Sequence, residues 1–203
     1  ERIGIVGKTG SGKSTLLDLL LGLFTLESGE IKIDDEPLYS KSNKNFVYQW
    51  RKGIAHVPQS IYLSDSSFAE NIAFGIPYDD IDLDRVKSAA KQSKIDSFIE
   101  AQKFKYNAFV GERGIRLSGG QRQRICIARA LYKKCSVLFF DEATSALDDT
   151  TENAVMNSIE NLNKKYTIIM VAHRLSTLNN CDRIYHLENG EIKNITSPKN
   201  IMQ

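Results

Sequence analysis

Cysteine is scarce in this chain: Cys126, Cys135 and Cys181 are odd in number, and no two of them have CxxC spacing. That argues against a disulfide framework and against a thiolate metal site, so the three are expected to be reduced, mostly buried thiols of a cytosolic compartment. Long apolar runs are missing too. No stretch reaches the ~18 residues of a membrane-spanning helix, and the opening residues do not have the pattern of a secretory signal. Membrane contact is therefore expected only through another polypeptide or a part of this one outside the sequence. Excess charge of one sign is also absent, since a formal +2 is too little to argue for a nucleic-acid partner. Sustained heptads, the mark of long coiled coils, do not occur. What remains is a globular composition: 203 residues, 41% of them hydrophobic, enough for one large domain or a domain with a subdomain.

The most informative stretch comes first. In Arg2-Ile3-Gly4-Ile5-Val6-Gly7-Lys8-Thr9-Gly10-Ser11-Gly12-Lys13-Ser14-Thr15, a short apolar run breaks into glycines and then turns helical. The spacing Gly7, four residues, Gly12-Lys13-Ser14 is that of a phosphate-binding P-loop between a buried strand and a Leu-rich helix. Glycines let backbone N–H groups wrap phosphate oxygens where a Cβ would intrude. The helix start adds a positive dipole end, Lys13 reaches the outer phosphates, and the Ser14 hydroxyl suits Mg²⁺. The chain opens at Glu1, only two residues before this strand, which predicts that the natural protein begins further upstream.

After the loop, Thr15 to Leu21 is almost continuously apolar and reads as a helix packed on both sides. Ile31 and Ile33 alternate with polar residues as in a half-exposed strand, residues 34–52 read as an irregular surface connection, and Ile54 to Val57 is a second strand ending at Pro58-Gln59. From Ser60 to about Lys134 helical patterns replace strands and turns, as in an inserted subdomain. Asp82 and Asp84 suit the first turn of a helix burying Val86, Ala89 and Ala90, and its Lys87, Lys91 and Lys94 read as a solvated face.

Leu117-Ser118-Gly119-Gly120-Gln121 then precedes a helix reaching Tyr132. Ser118 and Gln121 have capping-box spacing, and Gly119 and Gly120 would expose N–H groups at a second helix N-terminus. Alone this is an ordinary capped helix; beside a P-loop it is a second anion-binding surface. Val137 to Phe140 is an unbroken apolar run, as in a parallel strand covered on both faces, and it delivers Asp141-Glu142 to the sheet edge where such folds bind ligands. In P-loop enzymes an acid here holds Mg²⁺ and its neighbour orients or deprotonates the attacking water, which assigns Asp141 to the metal and Glu142 to the base. A further strand, Thr167 to Ala172, ends at His173. A lone histidine is commonly structural, but this one shares the sheet edge with the other motifs, whereas His56 and His186 do not. Arg183 to Leu187 and Glu191 to Ile192, joined at Asn189-Gly190, read as a type I′ hairpin.

As a set, these motifs resemble the nucleotide-binding domain of ATP-binding cassette (ABC) transporters. Gly7 to Ser14 matches the P-loop, Gln59 the Q-loop glutamine, Leu117 to Gln121 the LSGGQ signature, Val137 to Glu142 the Walker B strand, Ser145 to Asp148 the D-loop and His173 the switch histidine. The exporter branch is the nearer likeness, from Asn71-Ile72, from Gly111-Glu112-Arg113-Gly114 at the X-loop position, and from Ala172 to Thr177. Ala101 to Ala108 lacks the Leu-Pro common before the X-loop, and Cys135 stands at a usual proline position. The resemblance implies an α/β P-loop NTPase fold: one ATPase domain over 1–203, with a RecA-like, mostly parallel core sheet (1–59 and 135–203) and an inserted helical subdomain (60–134). It also implies that the N-terminal antiparallel strands and the aromatic residue that stacks on adenine lie upstream of Glu1.

The functional implication is ATP binding and hydrolysis driving export or the flipping of lipids or lipid-linked glycans. ATP and Mg²⁺ would be the cofactors, bound by Gly7, Lys8, Thr9, Gly10, Ser11, Gly12, Lys13, Ser14 and Thr15. The metal would lie near Ser14, Gln59 and Asp141. Ser118, Gly119, Gly120 and Gln121 would complete the ATP site of a second ABC domain in a head-to-tail homodimer. Glu142, His173, Gln59 and Lys13 would carry the catalysis. A transmembrane domain fused upstream would hold the cassette at the cytoplasmic face of the plasma (inner) membrane. The alternatives are a soluble ABC ATPase acting on nucleic acid or ribosomes, against which the short insert argues, and a nucleotide-binding regulator without turnover.

Overall fold

The computed structural model describes residues 1–39, 45–142, 147–157 together with the backbone of 158–160, 166–172 and 178–197. The chain divides into two compact units: Glu1–Ala55, Cys135–Asp141 and Tyr166–Gln203 form the first, His56–Lys134 and Glu142–Lys165 the second.

The strands are β1 (Arg2–Val6), β2 (Lys32–Ile33), β3 (Glu36–Pro37), β4 (Ile54–Val57), β5 (Val137–Asp141), β6 (Thr167–Val171), β7 (Arg183–Glu188) and β8 (Glu191–Thr196), all in the first unit except His56 and Val57 at the end of β4. Six of them form a sheet in the order β4-β5-β6-β1-β7-β8, while β2 and β3 pair as a separate antiparallel ribbon. β5, β6, β1 and β7 run parallel, and β8 returns antiparallel to β7. The P-loop strand therefore lies inside the sheet, and its C-terminal end opens on the edge where open α/β sheets bind ligands. The β7–β8 turn places Asn189 at φ 50° and Gly190 at φ 79°, the two left-handed residues that a type I′ hairpin requires.

Two helices of this unit depart from expectation. Helix α1 (Lys13–Leu20) is not packed on both sides: Leu17 and the following Leu21 are buried, while Leu16, Leu19 and Leu20 stay half-exposed. Its buried stripe meets Ile5, Ile54, Phe139 and Val171 of the sheet. Within the stretch 34–52, expected to be an irregular connection, the chain forms helix α2 (Phe46–Gly53). Phe46, Val47 and Trp50 share one helical face, a period hidden in the sequence by the polar run before it. The Trp50 ring meets Phe139 edge-on at 6.4 Å between centroids, and its indole N–H donates to the Leu20 carbonyl at 2.7 Å. That bond satisfies a carbonyl orphaned at the end of α1.

The second unit is helical: α3 (Phe68–Ile72), α4 (Leu83–Gln92), α5 (Asp96–Glu100), α6 (Gly119–Tyr132) and α7 (Asp149–Glu160). Its core gathers Leu63, Phe68, Ile72, Val86, Ile99, Val110 and Ile125, all buried. Asp82 caps α4 by accepting from the Arg85 N–H, and Lys87, Lys91 and Lys94 are exposed. No helix among the described residues is long and apolar enough to cross a membrane.

A reciprocal capping box starts α3: the Ser67 hydroxyl accepts from the Glu70 N–H at 3.2 Å, and the Glu70 carboxylate accepts from the Ser67 N–H at 3.0 Å and from the Ser67 hydroxyl at 2.6 Å. The bonds from the Ser67 hydroxyl and, next, the Ser67 N–H hold the Glu70 carboxyl below its ordinary pKa. Ser67→Ala is expected to lower unfolding free energy by about 1 kcal/mol, the usual cost of a lost N-cap. The denaturant midpoint of the purified protein checks this, and an unchanged midpoint would refute it.

Candidate active site

In the first unit the P-loop is built around two close approaches. A Cβ on Gly7 would stand 2.4 Å from the Leu187 carbonyl oxygen and 2.5 Å from the Ser11 hydroxyl, so only glycine fits there. Gly12 is the N-cap of α1 with φ 99°, a left-handed conformation that glycine adopts without strain. It contributes no side-chain cap, and the first turn of α1 contains no acidic residue. The first-turn N–H groups are thus left to an external anion at the positive end of the helix.

The Lys13 ammonium is buried and donates to the Gly7 carbonyl at 2.8 Å and the Lys8 carbonyl at 3.1 Å, holding the loop in its curl. The loop is pinned from the other side by the Gly190 N–H, which donates to the Ser11 carbonyl at 2.9 Å. The buried Ser11 hydroxyl has no hydrogen-bond partner among the described residues, whereas Lys8, Thr9, Gly10, Ser14 and Thr15 are exposed. A cleft of about 630 Å³ opens along Gly7 to Ser11 and the hairpin residues His186 to Asn189 and Lys193.

Asp141 ends β5 on the same edge. It pairs in register with Val171, and Val171 pairs with Ile5, which places Asp141 two strands, roughly 10 Å, from the chain entering the P-loop. Among the described residues no three His, Cys, Asp or Glu side chains cluster as a metal cage. The Asp141 carboxylate and the exposed Ser14 hydroxyl instead suit a cation that takes its remaining ligands from phosphate oxygens and water, as Mg²⁺ does.

In the second unit, Gln59 and Glu142 come together: the Gln59 amide donates to the Glu142 carboxylate at 2.6 Å. Glu142 has φ 50°, a left-handed conformation costing a non-glycine residue about 1–3 kcal/mol and concentrated at functional sites. The buried Gln123 side chain of α6 donates to the Glu142 carbonyl at 3.4 Å, holding the main chain of the same residue.

Helix α6 begins with a complete capping box. Ser118 Oγ accepts from the Gln121 N–H at 3.2 Å, and Gln121 Oε1 accepts from the Ser118 N–H at 2.9 Å. Gly119 and Gly120 supply the remaining first-turn N–H groups, with no acidic side chain beside them. Asp148 accepts from the Thr150 hydroxyl at 2.5 Å and the Thr151 N–H at 3.0 Å, bonds that hold its carboxyl far below the usual carboxylate range. Two supports were not legible as site residues: Gln123, which reads as one more polar residue after the signature, and the Asn189-Gly190 hairpin beneath the P-loop. His173 to Thr177 and the D-loop residues Ser145 and Ala146 lie outside the described residues.

Residues 1–145 match the family model described as ABC transporter. The chain belongs to the ABC transporter family. Within it, this is a nucleotide-binding ATPase domain of the exporter type, with the P-loop NTPase fold expected of one. It is 44% identical over 192 residues to an ATP-dependent lipid A-core flippase of Saccharophagus degradans, an alignment covering 95% of this chain and 32% of that protein. It is 45% identical over 192 residues to the leukotoxin translocation ATP-binding protein LktB of Mannheimia glucosida, covering 95% of this chain and 26% of that one. A solved structure of a bacterial Atm1-family ABC exporter with ATP bound superposes with TM-score 0.89 at 36% identity, over 99% of this chain and 34% of its own. The chain thus spans about a third or less of the length of these relatives.

Proposed function

We propose that this ABC domain is the motor of a membrane exporter, working as a head-to-tail pair of copies that closes on two ATP molecules. The observation that carries the reading is the presence of two anion-ready helix N-termini, α1 behind Gly12 and α6 behind Ser118, in separate compact units of one chain. In a head-to-tail pair the second N-terminus serves the ATP held by the partner's P-loop. The Gly7 to Thr15 backbone binds the phosphates, Lys13 neutralises their charge, and Ser118, Gly119 and Gly120 add donors to the terminal phosphate. Preorganised donors of this kind are the main catalytic device in phosphoryl transfer. Ser14 and Asp141 would hold Mg²⁺, which would supply charge neutralisation for the phosphates when bound. Glu142 takes the proton of the attacking water, and Gln59 sets the carboxylate's orientation.

The remaining two-thirds of the relatives' length is room for a membrane domain, and the cassette would work on the cytoplasmic face of the membrane holding it. Relatives at 44% and 45% identity are named for lipid A-core flipping and for leukotoxin translocation. Cargo is accordingly assigned to the part of the full-length protein outside this cassette.

Mixed dimers of full-length protein test the pairing. One copy carries Ser118→Ala and the other Lys13→Ala. In the head-to-tail arrangement both defects fall in one site, and the other site keeps an intact P-loop and an intact signature. The mixed dimer is therefore expected to trap a nucleotide that neither homodimer traps. Failure of the mixed dimer to do so would overturn the trans arrangement.

A further inference from the structure

Arg129, three turns along α6 from Ser118, makes three side-chain hydrogen bonds inside the helical unit, and the nucleotide chemistry above does not use it. Its Nε donates to the Asn71 carbonyl at 2.9 Å, Nη1 to the Tyr62 carbonyl at 3.1 Å and Nη2 to Asn71 Oδ1 at 3.4 Å. The guanidinium lies over the Phe74 ring at 4.4 Å. No carboxylate pairs with it among the described residues. The charge is held by carbonyl oxygens and one aromatic face, and desolvation lowers its pKa from the usual arginine value.

The acceptors explain what this cation is for. Tyr62 stands three residues beyond Gln59. Asn71, fully buried, closes the same segment on itself: its Oδ1 accepts from the Ser64 N–H at 3.0 Å, and its Nδ2 donates to the carbonyls of Ser64 at 3.0 Å and Ser67 at 3.1 Å. A planar fork with fixed donors can grip the Tyr62 and Asn71 carbonyls together, which the single point charge of lysine cannot. Helix α6 is a rod rising about 1.5 Å per residue, so Ser118 and Arg129 lie roughly 16 Å apart on one stiff element. Between them Gln123 holds the Glu142 carbonyl.

We infer that Arg129 is a positioning residue that locks the segment following Gln59 onto the signature helix, so that the Gln59–Glu142 contact and the Ser118 end of α6 keep one geometry. Arg129 is not one of the residues assigned to the nucleotide or the attacking water; its contacts are with Tyr62, Asn71 and Phe74, and it acts through Gln59. The inference rests on the roles given above to Gln59 and Glu142.

The test is a double-mutant cycle in the full-length protein reconstituted in lipid nanodiscs. Steady-state ATP hydrolysis is measured for the parent, Arg129→Lys, Gln59→Ala and the double variant, with amide hydrogen exchange over residues 60–66. Arg129→Lys is expected to lower kcat about tenfold, the scale of a small misplacement of a catalytic group, with KM for ATP within about twofold. Exchange should rise in residues 60–66 while the rest of the helical unit stays protected. The double variant should be no slower than Gln59→Ala alone, because one pathway cannot be lost twice. Multiplicative losses, an unchanged kcat in Arg129→Lys, or protection lost throughout the helical unit would each overturn the inference; the last would make Arg129 a residue of the unit's fold. If Gln59→Ala alone leaves turnover unchanged, the role given to Gln59 falls first, an outcome distinct from additivity.

Discussion

Glu142→Gln is expected to lower steady-state ATP hydrolysis by roughly 10²–10⁴-fold, the contribution of a positioned general base, while ATP binding stays at the parent level. The substitution is nearly isosteric. Its amide can still bond the Gln59 side chain that now donates to the carboxylate at 2.6 Å, and the Gln123 bond is to the main chain and survives. What is lost is basicity: an amide cannot take a proton from water. The P-loop sequence from Gly7 to Ser14 is untouched by the change. The kinetic signature is therefore a collapse of kcat with no loss of affinity for ATP, and an accumulation of ATP-bound, closed dimers. Phosphate release in the full-length protein, set beside equilibrium titration with a fluorescent ATP analogue, separates the two. Turnover at the parent level would remove Glu142 from the base role.

How much of this could be read from the sequence depends on the range of the interactions. The P-loop was legible because its conformation is local: Gly7, Gly12, Lys13 and Ser14 write a backbone path and a helix start within eight residues. The α6 cap was legible for the same reason, since Ser118 and Gln121 satisfy each other. β5 and β6 announced themselves as unbroken apolar runs, the pattern of strands covered on both faces. Helix α2 was missed because its face of Phe46, Val47 and Trp50 is short and follows a polar stretch that reads as loop. The packing of α1 was overestimated, because apolar composition does not say how many sides of a helix find a neighbour. The left-handed φ of Glu142 is written nowhere in the residue types, since glutamate has no preference for it. Arg129 is the extreme case: its acceptors lie 58 and 67 residues away in the chain, and in the sequence it is one more arginine on a basic helix.

Gly7→Ala is expected to weaken ATP binding at least a hundredfold, about 2.7 kcal/mol, whereas Gly10→Ala should cost about tenfold. Both glycines belong to the loop, and sequence spacing alone does not rank them. Geometry does. The added methyl at Gly7 meets a backbone carbonyl at 2.4 Å and the buried Ser11 hydroxyl at 2.5 Å, distances that real Cβ atoms do not tolerate. Turning the Ser11 hydroxyl does not relieve this: Leu187 is held in β7 by its ladder with β8, and the Ser11 Cβ, 3.1 Å from the added methyl, sits on a main chain whose carbonyl is bonded by the Gly190 N–H. The Gly7 main chain must shift instead, and with it the carbonyl that accepts from Lys13 at 2.8 Å, so the damage reaches the ammonium to which we assign the neutralisation of the phosphates. At Gly10 the methyl meets nothing within 4 Å, and the cost is only that of placing alanine at φ 80°. Titration of both variants with a fluorescent ATP analogue checks the ranking. Equal losses would mean that the loop's left-handed dihedrals, not the close approach of Gly7 to the β7–β8 hairpin, limit nucleotide binding.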